Sequence, residues 1–279
     1  MARLGFDFLN RLYGRTLVGT DGADSIYGFG GNDTIYGSHG KDYVSGGNGD
    51  DNIYAGNGSA TNPYDHWGND TARGGNGSDF INYYYSQDGV TIYGDHERPS
   101  EANYQDGGDT IWGSSGNDSI IGGGGDDKIY AGDGNDIIAT DYGVLTSPGY
   151  YGTNTVYGGR GQDTVIVSGW DTIVINRGDS NPVDGQQDII AHFDSAHANL
   201  NLPGDANSSN YDEVQIGAQG FNAALHMANS MLRTKDYVFV TDGHDGYVFA
   251  DTDGDMRADI GVTITGLTSI DQFSHYYIT

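Results

Sequence analysis

Aspartate at a fixed interval is the clearest chemical signal in this chain. Asp24, Asp33, Asp42 and Asp51 recur every nine residues. Each follows a glycine-rich run and precedes, by two positions, a large apolar residue: Ile26, Ile35, Val44 or Ile53. The unit is Gly-Gly-x-Gly-x-Asp-x-U-x, with U large and apolar. Glycines adopt φ > 0 without steric cost, so a run of them lets backbone carbonyls crowd together. Carbonyls joined by a carboxylate from each of two turns make an all-oxygen cage. Such a cage suits Ca²⁺, which accepts about 6–8 oxygens in loose geometry. Mg²⁺ demands a tighter octahedron, and no His/Cys cluster points to zinc.

The elements that must hold these carboxylates follow from the period. Nine residues make half a coil, a turn of six and a strand of three. Stacked coils give two parallel sheets about 4.8 Å between strands. U then points inward, because strand side chains alternate. Turns on one edge are alternate units, so a site pairs aspartates one full coil apart. The expected pairs are Asp24/Asp42, Asp33/Asp51, Asp42/Asp70, Asp51/Asp79, Asp109/Asp127, Asp118/Asp136 and Asp136/Asp163, with Asp127/Asn154 weaker. About seven to ten ions are expected. Insertions near 59–67, 97–106 and 144–152 leave from turns, where a stacked coil tolerates them, and carry Tyr64, Trp67, Tyr104, Tyr150 and Tyr151. A degenerate seventh unit keeps Asp88 and Ile92 but loses its glycines, and is expected to divide the array into two calcium blocks.

Composition agrees with an array that needs ions. Glycine supplies 47 of 279 residues, hydrophobic residues only 36%, and cysteine none. The core is thinly supplied and no disulfide can staple it. A formal charge of −27, from 39 acidic and 12 basic residues, repels nucleic acid and anionic lipid. No run reaches the ~18 apolar residues of a membrane span, and residues 1–9 lack the apolar stretch of a secretory leader.

Residues 1–18 read as a cap, an amphipathic helix (Leu4, Phe8, Leu12) or an irregular segment; a remnant of a longer N-terminal domain is the alternative. The array spans 19–175. Residues 176–279 read as a small β-rich C-terminal domain with one helix. Asp188 to Phe193 looks like a strand leading away, and residues 221–234 like a helix with Phe221, Leu225, Ala228 and Leu232 on one face. Three apolar runs from Tyr237 to Ile264 form a β-meander.

Catalytic motifs are missing. His96-Glu97-Arg98-Pro99-Ser100 lacks the second histidine of a zinc protease site, and no Gly-x-Ser-x-Gly occurs. The chain reads as no enzyme. Asp251-Thr252-Asp253-Gly254-Asp255-Met256 begins like an EF-hand loop but reads better as a hairpin turn, because Met256 replaces the sixth-position glycine. Arg177-Gly178-Asp179, the integrin-ligand tripeptide, is a chance outcome of a Gly/Asp-rich turn. The last position of the even-numbered units reads Tyr36, Tyr54, Asn82, Trp112, Tyr130, Tyr157. This aromatic stripe could be ladder packing, about 0.2–1 kcal/mol per pair, a surface covered by the C-terminal region, or a ligand surface.

The unit, recurring in phase over 19–175, resembles the hemolysin-type calcium-binding repeat of RTX exoproteins, which implies a calcium-bound parallel β-roll. Asp251 to Asp255, followed by Ile260-Gly261-Val262-Thr263-Ile264 and on to Phe273, is similar to the C-terminal domain of serralysin-type secreted proteases. That resemblance implies export by a type I apparatus through an uncleaved C-terminal signal. The family's enzymes carry a catalytic domain before the roll, and eighteen residues stand there in this sequence. The expectation is therefore a secreted calcium-binding protein that folds on export and acts at the cell surface or in the matrix. A polysaccharide-binding module, or the non-catalytic C-terminal part of a larger exoenzyme or adhesin, are the alternatives.

Overall fold

The computed structural model describes residues 14–56, 68–95, 106–142, 152–194 and 196–279, and the backbone of Arg3–Leu4. The insertions, apart from Asp106 and Gly152 at their ends, and Phe8 and Leu12 of the expected cap lie outside the described residues.

Each unit forms the short strand its period demands. Ser25–Gly30, Tyr43–Asn48, Thr71–Asn76, Thr91–Tyr93, Ser119–Ile121, Ile137–Ala139 and Thr164–Ile166 build one parallel sheet. Thr34–Tyr36, Asn52–Tyr54, Phe80–Asn82, Thr110–Trp112, Lys128–Asp133, Thr155–Arg160 and Thr172–Val174 build the other. The U residues meet in register, Ile35↔Ile53↔Ile81↔Ile111↔Ile129↔Val156↔Ile173 in the second sheet. They form one dry stack, with Ile26, Ile53, Ile92 and Ile129 at 0% exposure. Burying each such side chain stabilises the roll by about 1.5–3 kcal/mol, which offsets the scarcity of apolar residues elsewhere. The turns need glycine where coils touch. Gly47 has φ 115°, and a methyl group there would strike the backbone of Phe29 in the preceding coil.

The roll is longer at both ends than the motif. Thr16–Val18 pairs with Thr34–Tyr36, and Arg3–Leu4 pairs with Ser25–Ile26 in the same parallel sense. Leu4, which the i, i+4 spacing assigns to a helical or irregular cap, is thus in a strand. A parallel ladder satisfies the edge groups of Ser25 and Ile26, which a helix could not. Beyond residue 175, Asp188–Ala191 does not lead away. It stacks on Thr164–Ile166, and Asn199–Asn201 stacks on Thr172–Val174. The glycine turn is lost there while the inward apolar residue survives, as Ile190 and Leu200, both at 0% exposure.

The C-terminal segments continue the first sheet. Ile260–Thr265 runs parallel to Asp188–Ala191 and antiparallel to Asp245–Ala250, which pairs with Tyr237–Thr241. Among the described residues this sheet has 13 strands and the other has nine. Helix α1 (Phe221–Met231) lays Phe221, Ala224 and Ala228 on one face of the meander, against Val238, Val240 and Phe249. On the opposite face Phe239 stacks on Phe273 at 4.8 Å and joins the roll's core. Ile278 bridges to Leu200, so apolar residues of the last segment close the end of the stack. A terminal coil needs such a cap.

Candidate metal centre

The motif aspartates occupy the two edges of the roll. One edge carries Asp33, Asp51, Asp79, Asp109, Asp127, Asn154 and Asp171; the other carries Asp24, Asp42, Asp70, Asp118, Asp136, Asp163 and Asp188. All are buried. A single hydrogen bond repeats along both edges: Oδ1 of each aspartate accepts the backbone N–H of its counterpart one coil earlier. The seven sequence-predicted pairs are brought together this way at 2.7–2.9 Å. Asp127 N–H donates instead to Asn154 Oδ1 at 2.8 Å.

The second carboxylate oxygen decides what the turn can bind. Oδ2 of Asp33, Asp51, Asp79, Asp109, Asp127, Asp136 and Asp163 is buried without a hydrogen-bond partner. At Asp33, Asp51, Asp79, Asp109 and Asp127 it lies beside a carbonyl acceptor. A methyl group on Gly46 would meet both Asp51 Oδ2 and the Gly74 carbonyl; on Gly74, Asp79 Oδ2 and the Gly94 carbonyl; on Gly94, Asp109 Oδ2 and the Gly122 carbonyl. Glycine therefore leaves open a cradle where carboxylate and carbonyl oxygens converge with no donor. Leaving a buried polar group unsatisfied costs about 1–3 kcal/mol, and more when it is charged. A hard cation removes that cost, so the residues present fit Ca²⁺.

Electrostatics points the same way. Burial pushes Asp51 and Asp163 up to about 7, and Asp79, Asp127, Asp136 and Asp188 up to about 8. Burial and then the neighbouring carboxylate of Asp127 raise Asp109 well above the carboxylate range. Among the described residues no basic side chain is paired with these groups.

Two turns differ. Asp24 Oδ2 accepts from Thr20 N–H and Oγ1, at 2.5 and 2.8 Å. Asp118 accepts from Ser114 N–H and Oγ, at 2.6 and 2.7 Å. In both, a hydroxyl residue at the unit's second position supplies the donors; Asp171 Oδ2 likewise accepts from Thr140 Oγ1 at 2.8 Å and from Ser168 N–H at 3.2 Å. At the start of the Asp33 edge, Arg15 donates its N–H to Asp33 Oδ1 at 2.7 Å and directs its guanidinium to the Gly28 carbonyl.

The structure also corrects the division of the array. Asp88 does not stand at the motif position of the seventh unit; it accepts Gly68 N–H at 2.9 Å. Val90 stands there, and its N–H donates to Asp118 Oδ1. Only the Asp24 edge is interrupted. On the other, Asp79 N–H donates to Asp109 Oδ1 at 2.8 Å, a pair the 30-residue separation hides in the sequence. Asp171 and Asp188 extend the two ladders. Counting two residues back from Ile92 would have found Val90.

The aromatic stripe forms two ladders broken at Asn82. Tyr36 and Tyr54 stack at 5.2 Å; Trp112, Tyr130 and Tyr157 stack at 4.2 and 4.6 Å, with planes within 19°. The spacing between strands sets the spacing between rings, so inner ring faces lie against each other and ring edges face outward. The two remaining sequence signals resolve simply. Arg177 is engaged by Asp253 and Asp259, at 2.6 and 3.1 Å. Asp251, Asp253 and Asp259 cluster in the hairpin loop, but Arg177 supplies the positive charge, and Asp251 accepts N–H groups of Gly254 and Met256 at 2.7 and 2.8 Å.

The family model for the RTX calcium-binding nonapeptide repeat (4 copies) matches residues 16–44, 35–61, 65–82, 105–138 and 148–179. The array is an RTX calcium-binding repeat array. RTX nonapeptide repeats bind Ca²⁺, and the parallel strands of the roll are those such repeats form. Among solved structures the chain is similar to the AlgE6R3 subunit of the Azotobacter vinelandii mannuronan C5-epimerase, at 20% identity over 64% of this chain and 81% of that one, with a TM-score of 0.24. Compared with curated proteins, the chain has no significant match. No catalytic domain is evidenced by these matches. No helix among the described residues is long and apolar enough to cross a membrane.

Proposed function

We propose that this RTX protein is exported by a type I apparatus in a largely unfolded state, and that calcium outside the cell folds it into the roll. The paired motif aspartates hold the ions. The observation that carries this reading is the row of buried Oδ2 atoms set against carbonyl oxygens without donors. At cytosolic calcium these turns repel one another; at millimolar calcium, binding free energy becomes folding free energy. The similarity of residues 251–273 to serralysin-type C-terminal domains supports the export route. The folded roll then acts, without catalysis of its own, at the cell surface or in the matrix through adhesion or host contact. Circular dichroism at neutral pH tests the reading: strand signal should appear with calcium and vanish with EGTA. A native-like strand spectrum in EGTA would reject it.

A second reading, polysaccharide binding, is favoured by one cavity of about 540 Å³. Trp112, Tyr130 and Tyr157 form one wall, Tyr84 lies at its mouth, and Asp133 and Arg160 line it. The ladder presents edges, so a sugar chain would be held by hydrogen bonds to Asp133, Arg160 and tyrosine hydroxyls, with Tyr84, 57% exposed, as the ring nearest solvent. A glycan array in calcium, run with the protein and with Arg160→Ala, separates the readings. A glycan bound equally by both would exclude this cavity.

A further inference from the structure

The eighth unit breaks the motif in a way that adds chemistry. Its second position, glycine in Gly46-Gly47, Gly74-Gly75 and Gly122-Gly123, is Asp95. The side chain turns into the roll and is 0% exposed. Oδ2 accepts Gly124 N–H at 2.7 Å, and Oδ1 is buried with no hydrogen-bond partner. A buried carboxylate is stable when it is paired, bound to a metal or protonated, and among the described residues no basic side chain is paired with Asp95.

A second carboxylate lies next to it. Asp106 is anchored by a parallel bridge to Gly77. A methyl group on Gly123 would strike the Asp95 carboxylate; one on Gly124 would meet Asp106 Oδ2 at 2.8 Å. The two acids therefore sit over consecutive residues of one turn. Tyr142, from the next coil on this edge, supplies a third oxygen: its hydroxyl is buried and has no partner. Asp95 and Asp106 are the charges that act on that phenol most strongly. None of the three residues stands at the motif's aspartate position.

We propose that Asp95, Asp106 and Tyr142 form an additional divalent-cation site, distinct from the repeat turns, that takes Ca²⁺ at the base of the 96–105 segment. Two carboxylates and a hydroxyl are hard oxygen donors, and Ca²⁺ accepts such a set together with carbonyls or water. The ion would tie Asp95 and Asp106, which flank residues 96–105 in sequence, to the turn of Gly123 and Gly124 that both lie over.

The test counts ions. Wild type and Asp95→Gly, each folded in calcium and passed through a desalting column, are analysed by native mass spectrometry with calcium as the only metal. Asp95→Gly restores the glycine found in neighbouring units. The expected result is one bound ion fewer in the variant, with unchanged far-ultraviolet circular dichroism. Asp106→Asn, read the same way, should lose the same single ion and serves if Asp95→Gly does not fold. An unchanged count overturns the proposal, since Asp95 then only shares the ion of the Asp109 turn or holds a proton. Loss of two or more ions also overturns it, since the residue would then be shaping the repeat turns. Wild type with no bound calcium would instead defeat the calcium-folded roll itself.

Discussion

The two edges of the roll use one nine-residue unit and differ in continuity. Along the edge that begins at Asp33, each coil passes a carboxylate contact to the next through Asp51, Asp79, Asp109 and Asp127. Each of these carboxylates keeps an unsatisfied buried oxygen. Along the edge that begins at Asp24, Val90 interrupts the row, and Thr20 and Ser114 donate to the carboxylates on which ions would act. The same backbone can therefore hold a cation-dependent turn or one that the chain satisfies for itself. The difference lies in single residues at the second and sixth positions of the unit. The off-motif acids Asp95 and Asp141 also fall on the Asp33 edge, which concentrates negative charge there.

The comparison can be broken in several ways. The largest effect should come from pH in metal-free protein. Asp51 and Asp163 near 7, and Asp79, Asp127 and Asp136 near 8, are raised above their unfolded value of about 3.9. The fold then binds more protons than the unfolded chain between about pH 4 and 8, so metal-free stability falls as pH rises through that window. In EGTA, strand circular dichroism should be absent at pH 8 and recover as pH falls toward 4.5. A metal-free spectrum that does not change with pH would remove the electrostatic basis of both edges.

Single substitutions should then rank the edges. Asp79→Ala removes the acceptor for Asp51 N–H and half of a cage, and should cost about 3–5 kcal/mol in saturating calcium by urea denaturation. Asp118→Ala, beside the Val90 gap and already supplied by Ser114, should cost about 1–3 kcal/mol. Equal losses would mean that continuity is irrelevant. Val90→Asp should sharpen the contrast by adding one bound ion on native mass spectrometry and raising the thermal midpoint in calcium but not in EGTA. The smallest effect belongs to the ladder: Tyr130→Ser should cost about 0.5–1.5 kcal/mol and leave the ion count unchanged.

Much of this was legible in the sequence because one period fixes both the inward apolar residue and the turn carboxylate. Ile26 and Asp24, or Ile129 and Asp127, could be assigned from spacing alone. The Asp79/Asp109 contact could not, because the inserted segment changes the separation without changing the turn. Asp88 is an acid close to the expected place, but the position two residues before Ile92 belongs to Val90. At the C-terminal end, Ile190 and Leu200 keep the inward position after the glycines disappear, so a search for glycine stops before the roll does. Asp95 carried a signal, an acid where the unit has glycine, but only burial revealed that the side chain points inward.

The inter-coil hydrogen bond has a wider consequence. From Asp24 to Asp42 it joins residues 18 apart, and from Asp51 to Asp79 residues 28 apart, at 2.9 and 2.7 Å. Register is set in space by the strands on either side, and chain length between them hardly enters, since doubling a loop costs only about 0.6 kcal/mol in closure entropy. Each turn thus works as a socket: new segments can be plugged into either edge, and exchanged for others, without renegotiating the scaffold that holds them.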